Sequence, residues 1–249
     1  MRSRLPTEPA DARASLHDPS AVRALFDEMS ATYGLVNVVS SFGFAVRWRH
    51  QAIARLPATA PIGRVLDLMS GMGELWPSLA RQLGGASEVV AVDISLGMAR
   101  RAPRVPPLPV TTFVEDALVF DPPAASFDAV VSSFGLKTFD PAQQERLAER
   151  VARVLRPGGT YSFIEISVPA ARALRIAYML YMKRVIPLVG RALLGNPANY
   201  RLLGTYTEKF GDCAHFARCL ERAGLEATFV RYFFGCATGV VGRKREGSS

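Results

Sequence analysis

A chain of 249 residues with 49% hydrophobic content can bury a sizeable core, which excludes general disorder and suits one large α/β domain. Its formal charge of +8 admits nucleic acid or an anionic membrane surface as partner. The excess is Arg scattered along the chain, and the densest runs, Arg100-Arg101 and Arg243-Lys244-Arg245, lack the interleaved aromatics of an RNA-binding surface, so no nucleic acid is expected.

Residues 1–20, rich in Pro, Asp and Arg, read as a flexible tail ahead of a single domain over 21–249. Val22, Leu25, Phe26 and Met29 recur at helical spacing and predict a helix over 21–33. A second helix is expected over 44–55, giving an N-terminal helical part at 21–60, and 57–63 reads as a linker. From Arg64 onward strands and helices alternate. Strands are predicted over 64–68, 88–92, 110–114, 127–132 and 161–166, and helices from Glu74, from Leu96 and over 142–155. Pro157-Gly158-Gly159 reads as a turn. Such alternation implies a parallel sheet with helices on both faces. The stretch 170–194 breaks the pattern: it is long and apolar, and carries Arg172, Arg175, Lys183, Arg184 and Arg191 without a clean amphipathic stripe. It reads as part of a helical insertion, 170–212, over the carboxyl edge of the sheet, with Pro187 kinking or ending its first helix. A helix over 213–224 and strands over 225–233 and 236–242 close the chain. The expected fold class is α/β: a doubly wound, mostly parallel seven-stranded sheet with a C-terminal antiparallel hairpin and a helical cap.

The first βα unit carries the chemistry. The strand 64–68 includes an acid, Asp67, a Gly-x-Gly turn follows at Gly71, Met72 and Gly73, and the second strand leads into Asp93. Strand-end acids at this spacing suit a nucleoside: glycine lets the backbone approach, and the second acid accepts from ribose hydroxyls. A dinucleotide fingerprint needs a third glycine where Trp76 stands. Glu74, at the expected helix start, would repel a pyrophosphate. A ligand with ribose, adenine and a cationic amino-acid end fits better, which describes S-adenosylmethionine, its ammonium near acids such as Asp67.

The cysteines, Cys213, Cys219 and Cys236, show no CxxC spacing, and His17, His50 and His215 are far apart, so no metal site is expected and the thiols read as buried in a reducing cytosol. The N-terminus lacks the apolar core of a signal peptide. No apolar run reaches the ~18 residues that span a bilayer.

The chain resembles class I methyltransferases, and more narrowly the ubiquinone/menaquinone biosynthesis C-methyltransferase family. The resemblance rests on Phe26-Asp27, Tyr33 to Asn37, Val65 to Leu75, Val92-Asp93-Ile94-Ser95 with Met98, Asp116-Ala117, Ser133-Phe134-Gly135-Leu136, Val154 to Gly159, Ile164 to Ser167 and Asn199-Tyr200-Arg201. Four departures stand out: Met69-Ser70 where the family has small residues, Met72 for its Thr, Gly34 for its Asp, and Lys137-Thr138 for its Arg-Asn. That Arg is thought to organise proton removal from the ring, and Lys lacks its planar fork.

The resemblance implies S-adenosylmethionine as cofactor, lined by Tyr33, Asp67, Gly71, Met72, Gly73, Asp93, Ile94, Met98, Asp116, Ala117 and Ser133. Asp93 is expected on the ribose, Asp116 at the adenine amine, Ser133 under the methyl donor. The implied acceptor is an apolar aromatic or prenylated quinol-like ring. Lys137 and Tyr33 are the candidates for steering its proton, with Glu165 beside them either as participant or as a structural acceptor. Tyr178, Met179, Tyr181 and Met182 would receive a prenyl tail or serve as core. Alternatives are a secondary-metabolite phenol methylated on carbon or oxygen, and a non-enzymatic lipid-binding scaffold. A cytoplasmic protein with peripheral contact to the inner membrane, or a homodimer, is consistent with the family.

Overall fold

The computed structural model describes residues 16–57, 61–83 and 88–247. Three helices lead: α1 (Pro19–Met29), α2 (Tyr33–Ser40) and α3 (Phe44–Ile53). Then come β1 (Arg64–Leu68), α4 (Trp76–Leu83), β2 (Glu88–Asp93), α5 (Leu96–Ala99), β3 (Val110–Val114), β4 (Phe127–Ser133), α6 (Pro141–Val154) and β5 (Leu155–Ile166). The cap is α7 (Arg172–Leu180), a π-helical stretch Tyr181–Val185, α8 (Ile186–Ala192) and α9 (Pro197–Phe210). The chain closes with α10 (Ala214–Arg222), β6 (Leu225–Tyr232) and β7 (Ala237–Lys244).

The seven strands form one sheet in the order β3-β2-β1-β4-β5-β7-β6. Strands β1 to β5 are parallel; β7 runs antiparallel to β5 and β6. This is the expected fold class. Alternation along the central strands fills both faces. Leu66, Leu68, Val90, Val92 and Val130 pack against Leu147, Val151, Phe216 and Leu220 of α6 and α10. Val65, Val89, Ala91, Ala129 and Val131 pack against Ile53 of α3 and Trp76 and Leu79 of α4. Because the chain turns one way from β1 to β2 and crosses to the other side for β4, the loops part above the β1–β4 boundary and open a crevice there.

Several elements differ from expectation. The helical pattern after residue 20 is two helices. Asp18 caps α1 through Ser20 N and Ala21 N, so the folded chain begins within the expected tail, whose residues 1–15 lie outside the described residues. Helix α4 starts at Trp76, two residues after Glu74, because Glu74 Oε2 accepts from Met72 N at 3.0 Å and Gly71 and Gly73 hold left-handed angles (φ 59° and 80°). Pro157-Gly158-Gly159 is an irregularity within β5, whose partners step from Leu155 opposite Phe127 to Thr160 opposite Ala129. Pro187 neither stands at a free helix start nor ends the run: the backbone stays helical from α7 through the π-helical stretch into α8, and the widened turn lies directly before the proline, which cannot donate to it.

Candidate active site

The crevice is lined by residues from the loops that follow β1, β2, β3 and β4 and by α1, α2 and α3. Asp93 ties these loops together. Its Oδ2 accepts from Gly71 N at 2.7 Å and its Oδ1 from Ser95 N at 2.8 Å. Asp27 on α1 extends the tie, accepting from Ser95 Oγ at 2.6 Å and Gly97 N at 2.8 Å. Burial pushes the Asp93 carboxyl up to about 6, against the pull of its two backbone donors.

Of the expected cofactor residues, Tyr33, Gly71, Asp93, Ile94, Met98, Asp116, Ala117 and Ser133 line the cleft. Asp116 also accepts from Leu118 N through Oδ1 at 2.8 Å. Asp67, Met72 and Gly73 do not line it. Asp67 is fully buried behind the turn, where Oδ2 accepts from Trp76 Nε1 at 3.1 Å; burial raises its carboxyl well above the usual range, only partly offset by that bond. Of the acids around the turn, Glu74 and Asp93 rather than Asp67 face the cleft. Gly73 is required by packing: a Cβ there would lie 2.5 Å from the Trp76 ring.

Met72 packs with Tyr33 and Met98, and its Cε would meet a Cβ at Gly34 at 2.7 Å. Two departures from the family pattern thus explain each other: a methionine fills the space that a glycine leaves.

Arg49 is the residue that sequence reading missed. It is buried in the cleft wall, donates from Nε to Ser133 Oγ at 3.2 Å, pairs with Glu74 at 3.7 Å and stacks on Phe134 at 4.7 Å. One Arg among several in a helix gives no signal of this. Val22, Phe26, Met69 and Phe139 add apolar wall, and Leu16–His17 crosses the mouth: His17 Nδ1 meets Thr138 O at 2.9 Å, and Gln143 Nε2 donates to His17 O at 3.0 Å. Acids, one guanidinium and apolar wall make a donor set that fits a ribose, an adenine and a zwitterionic amino acid.

Beside the cleft lies a second chamber that shares Tyr33 and Phe134 with it and adds Asn37, Lys137, Met182, Ile186 and Tyr200. Lys137 and Glu165 meet there as a buried pair at 2.9 Å. Lys137 Nζ also donates to Phe134 O, and Glu165 accepts from Lys137 N and Ile166 N. Glu165 is wholly buried behind the lysine, so the charge the chamber meets is the ammonium. Burial, reinforced by Glu74 and opposed by Arg49, drives the Tyr33 phenol above its ordinary range, so Tyr33 keeps its proton and is poor as a base. Past the chamber an apolar groove of about 440 Å³ opens between Phe42, Phe44, Trp48, Leu174, Tyr178 and Tyr181. Met182 lines both, whereas Met179 lines neither.

This fold and cleft define an S-adenosylmethionine-dependent class I methyltransferase. The chain belongs to the ubiE/COQ5 methyltransferase family, whose profile matches residues 14–244. It is 34% identical to a demethylmenaquinone methyltransferase of Thermus thermophilus, over 88% of this chain and 99% of that protein. It is 34% identical to the ubiquinone/menaquinone biosynthesis C-methyltransferase UbiE of Syntrophotalea carbinolica, over 86% of this chain and 93% of that one. Among solved structures, an S-adenosylmethionine-dependent methyltransferase of Thermotoga maritima superposes with TM-score 0.61 at 18% identity, covering 90% of this chain and 99% of its own. A geranyl diphosphate C-methyltransferase of Streptomyces coelicolor gives 0.53 at 13% identity, covering 80% and 77%.

Two outcomes follow. With Asp93 on the ribose, as the family resemblance implies, the hydroxyls would donate to the ionised carboxylate, and binding would favour loss of its proton. Affinity for S-adenosylmethionine should level off above about pH 6 and fall by up to about tenfold per pH unit below it. Calorimetry from pH 5 to 7.5 reads this, and a flat profile in the wild type would refute it; Asp93→Asn should be flat and weaker. Lys137→Ala leaves Glu165 unpaired in a sealed site, and should cost about 3–5 kcal/mol of stability. Lys137→Met with Glu165→Gln should recover most of it. A wild-type melting temperature in Lys137→Ala would show the pair to be dispensable.

Proposed function

We propose that this chain methylates a ring carbon of a quinol that carries an apolar tail. The observation that carries the reading is the run of three joined spaces: a nucleoside cleft, a small chamber holding Tyr33 and Lys137, and an apolar groove. The names of its relatives support a quinol-type acceptor. S-adenosylmethionine supplies an electrophilic methyl group when bound. Asp93, Glu74, Arg49 and Asp116 would hold and orient it. A phenolic ring becomes nucleophilic at carbon once its oxygen gives up a proton. Lys137 has two of its three N–H donors occupied, and its charge stabilises the resulting oxyanion. Met182, Ile186 and Leu203 line the chamber and help to exclude water.

Purified protein with labelled S-adenosylmethionine and a short-chain prenyl naphthoquinol should yield a product labelled on ring carbon. Label on oxygen would transfer the reading to a phenol O-methylation, and no transfer to any quinol would overturn it.

The rim of the groove supports contact with an anionic membrane, from which such an acceptor would enter. Phe42, Phe233 and Phe234 are 80%, 50% and 79% exposed, and all three hold positive φ. Left-handed backbone costs a bulky residue energy. Here it turns aromatics toward solvent. Nothing in α7 is buried. The segments that frame the groove, 29–66, 166–207 and 227–245, contain no Asp or Glu, while 166–207 carries Arg172, Arg175, Lys183, Arg184, Arg191 and Arg201. No helix among the described residues is long and apolar enough to cross a membrane. Flotation should recover more protein with anionic than with neutral vesicles, and Phe42→Ser with Phe234→Ser should abolish the difference. Absence of binding, with a dimer by sedimentation that the same substitutions dissolve, would assign the rim to a second copy.

A further inference from the structure

Among the described residues, buried side-chain polar atoms without a partner are few, and Asn37 Nδ2 is the one belonging to the second chamber. Asn37 stands one turn after Tyr33 on α2, so the two share a face. It lines both the chamber and the inner end of the apolar groove. Its amide leans on the Tyr33 hydroxyl in a loose hydrogen bond that pulls that group's pKa down, while no partner stands in well-formed hydrogen-bonding geometry to Nδ2. A buried amide donor left unmatched is costly, and in a chamber of this kind it calls for an acceptor atom from the ligand.

Three other polar side chains of the chamber are engaged elsewhere, wholly or in part. Lys137 serves Glu165 and Phe134 O, the Tyr200 hydroxyl meets Thr32 Oγ1 at 2.8 Å, and Thr207 Oγ1 donates to Leu203 O at 3.1 Å. Tyr33, which keeps its proton, and Asn37 Nδ2 are two donors that lie together.

We propose that Asn37 and Tyr33 hold one ring oxygen of the acceptor between them, and that Asn37 thereby sets which ring position faces the cleft. This rests on reading the chamber as the acceptor site. Both groups donate and neither removes a proton, so the pair recognises a carbonyl or an oxyanion and rejects a ring that lacks oxygen at that position. Asn37 is a binding residue in this scheme, placed at the junction where the polar ring ends and the apolar tail begins.

The test compares two probes, 1,4-naphthoquinone and naphthalene, by equilibrium dialysis against wild type, Asn37→Ala and Asn37→Asp. Alanine suits a helix interior better than asparagine, so Asn37→Ala should fold. The wild type should prefer the quinone; Asn37→Ala should lose about tenfold on the quinone and nothing on naphthalene, the loss of one buried hydrogen bond. Asn37→Asp, presenting a carboxylate to the ring oxygen, should lose more. Affinity for S-adenosylmethionine should stay constant in all three. Equal losses on both probes, or none on either, would overturn the role of Asn37. A wild type that binds neither probe would instead bring down the reading of the chamber itself.

Discussion

The site depends on one carboxylate that is short of water. Asp93 ends the second strand of the sheet and holds, through two backbone donors, the turn after β1 and the start of α5. Asp27 repeats the arrangement one layer out and binds α1 to the same loop. Beyond these bonds, the Gly71 turn is joined to the end of β2 by Ser70 N donating to Val92 O at 3.0 Å, so the carboxylate adds the tie on the ligand side. The cost of the arrangement is visible in the raised pKa of Asp93: a charge is kept where solvent cannot reach it. Donors from a ribose would relieve that cost, so binding of the ligand and stability of the loops are coupled.

Charges around the two spaces are divided with some economy. The cleft collects acids, with Arg49 held between Glu74 and Ser133, which suits a ligand bearing both signs. The chamber presents a single ammonium backed by a sealed carboxylate. A net-neutral pair of this kind offers a local field without placing a bare charge in an apolar interior. It also answers the substitution of lysine for the family's arginine: the lysine is not a loose surface group but a fixed one, anchored at both its main chain and its side chain by Glu165.

Much of the fold was legible because each central strand is a short apolar run that ends near Gly, Asp or Ser. Strands β1 and β3 have their expected bounds, and β2 and β4 run one residue further. Helix α2 was not legible: Gly34 and the β-branched Val36, Val38 and Val39 argue against a helix locally, and only packing of Val36 and Tyr33 under the cap overrides them. In the site, sequence spacing pointed to Gly71, Asp93 and Asp116 at the ends of parallel strands, because that is where the fold puts ligands. It could not separate Asp67, which faces inward to Trp76, from Glu74, which faces the cleft. The pairing of Lys137 with Glu165, 28 residues apart, depends on β4 and β5 being neighbours and has no local signature.

Helix α2 is the shared wall of all three spaces. Tyr33 at its start faces the cleft, Asn37 the chamber, and Ser40 with Phe42 beyond it the groove. With the acceptor in the chamber and groove as proposed, donor and acceptor would enter separately, one by the cleft beside His17 and one through the aromatic rim, and would meet at Tyr33 and Phe134. Neither need leave before the other arrives. Such a plan permits a ternary complex formed in either order, and the spent nucleoside could be exchanged while a hydrophobic product still occupies its own passage.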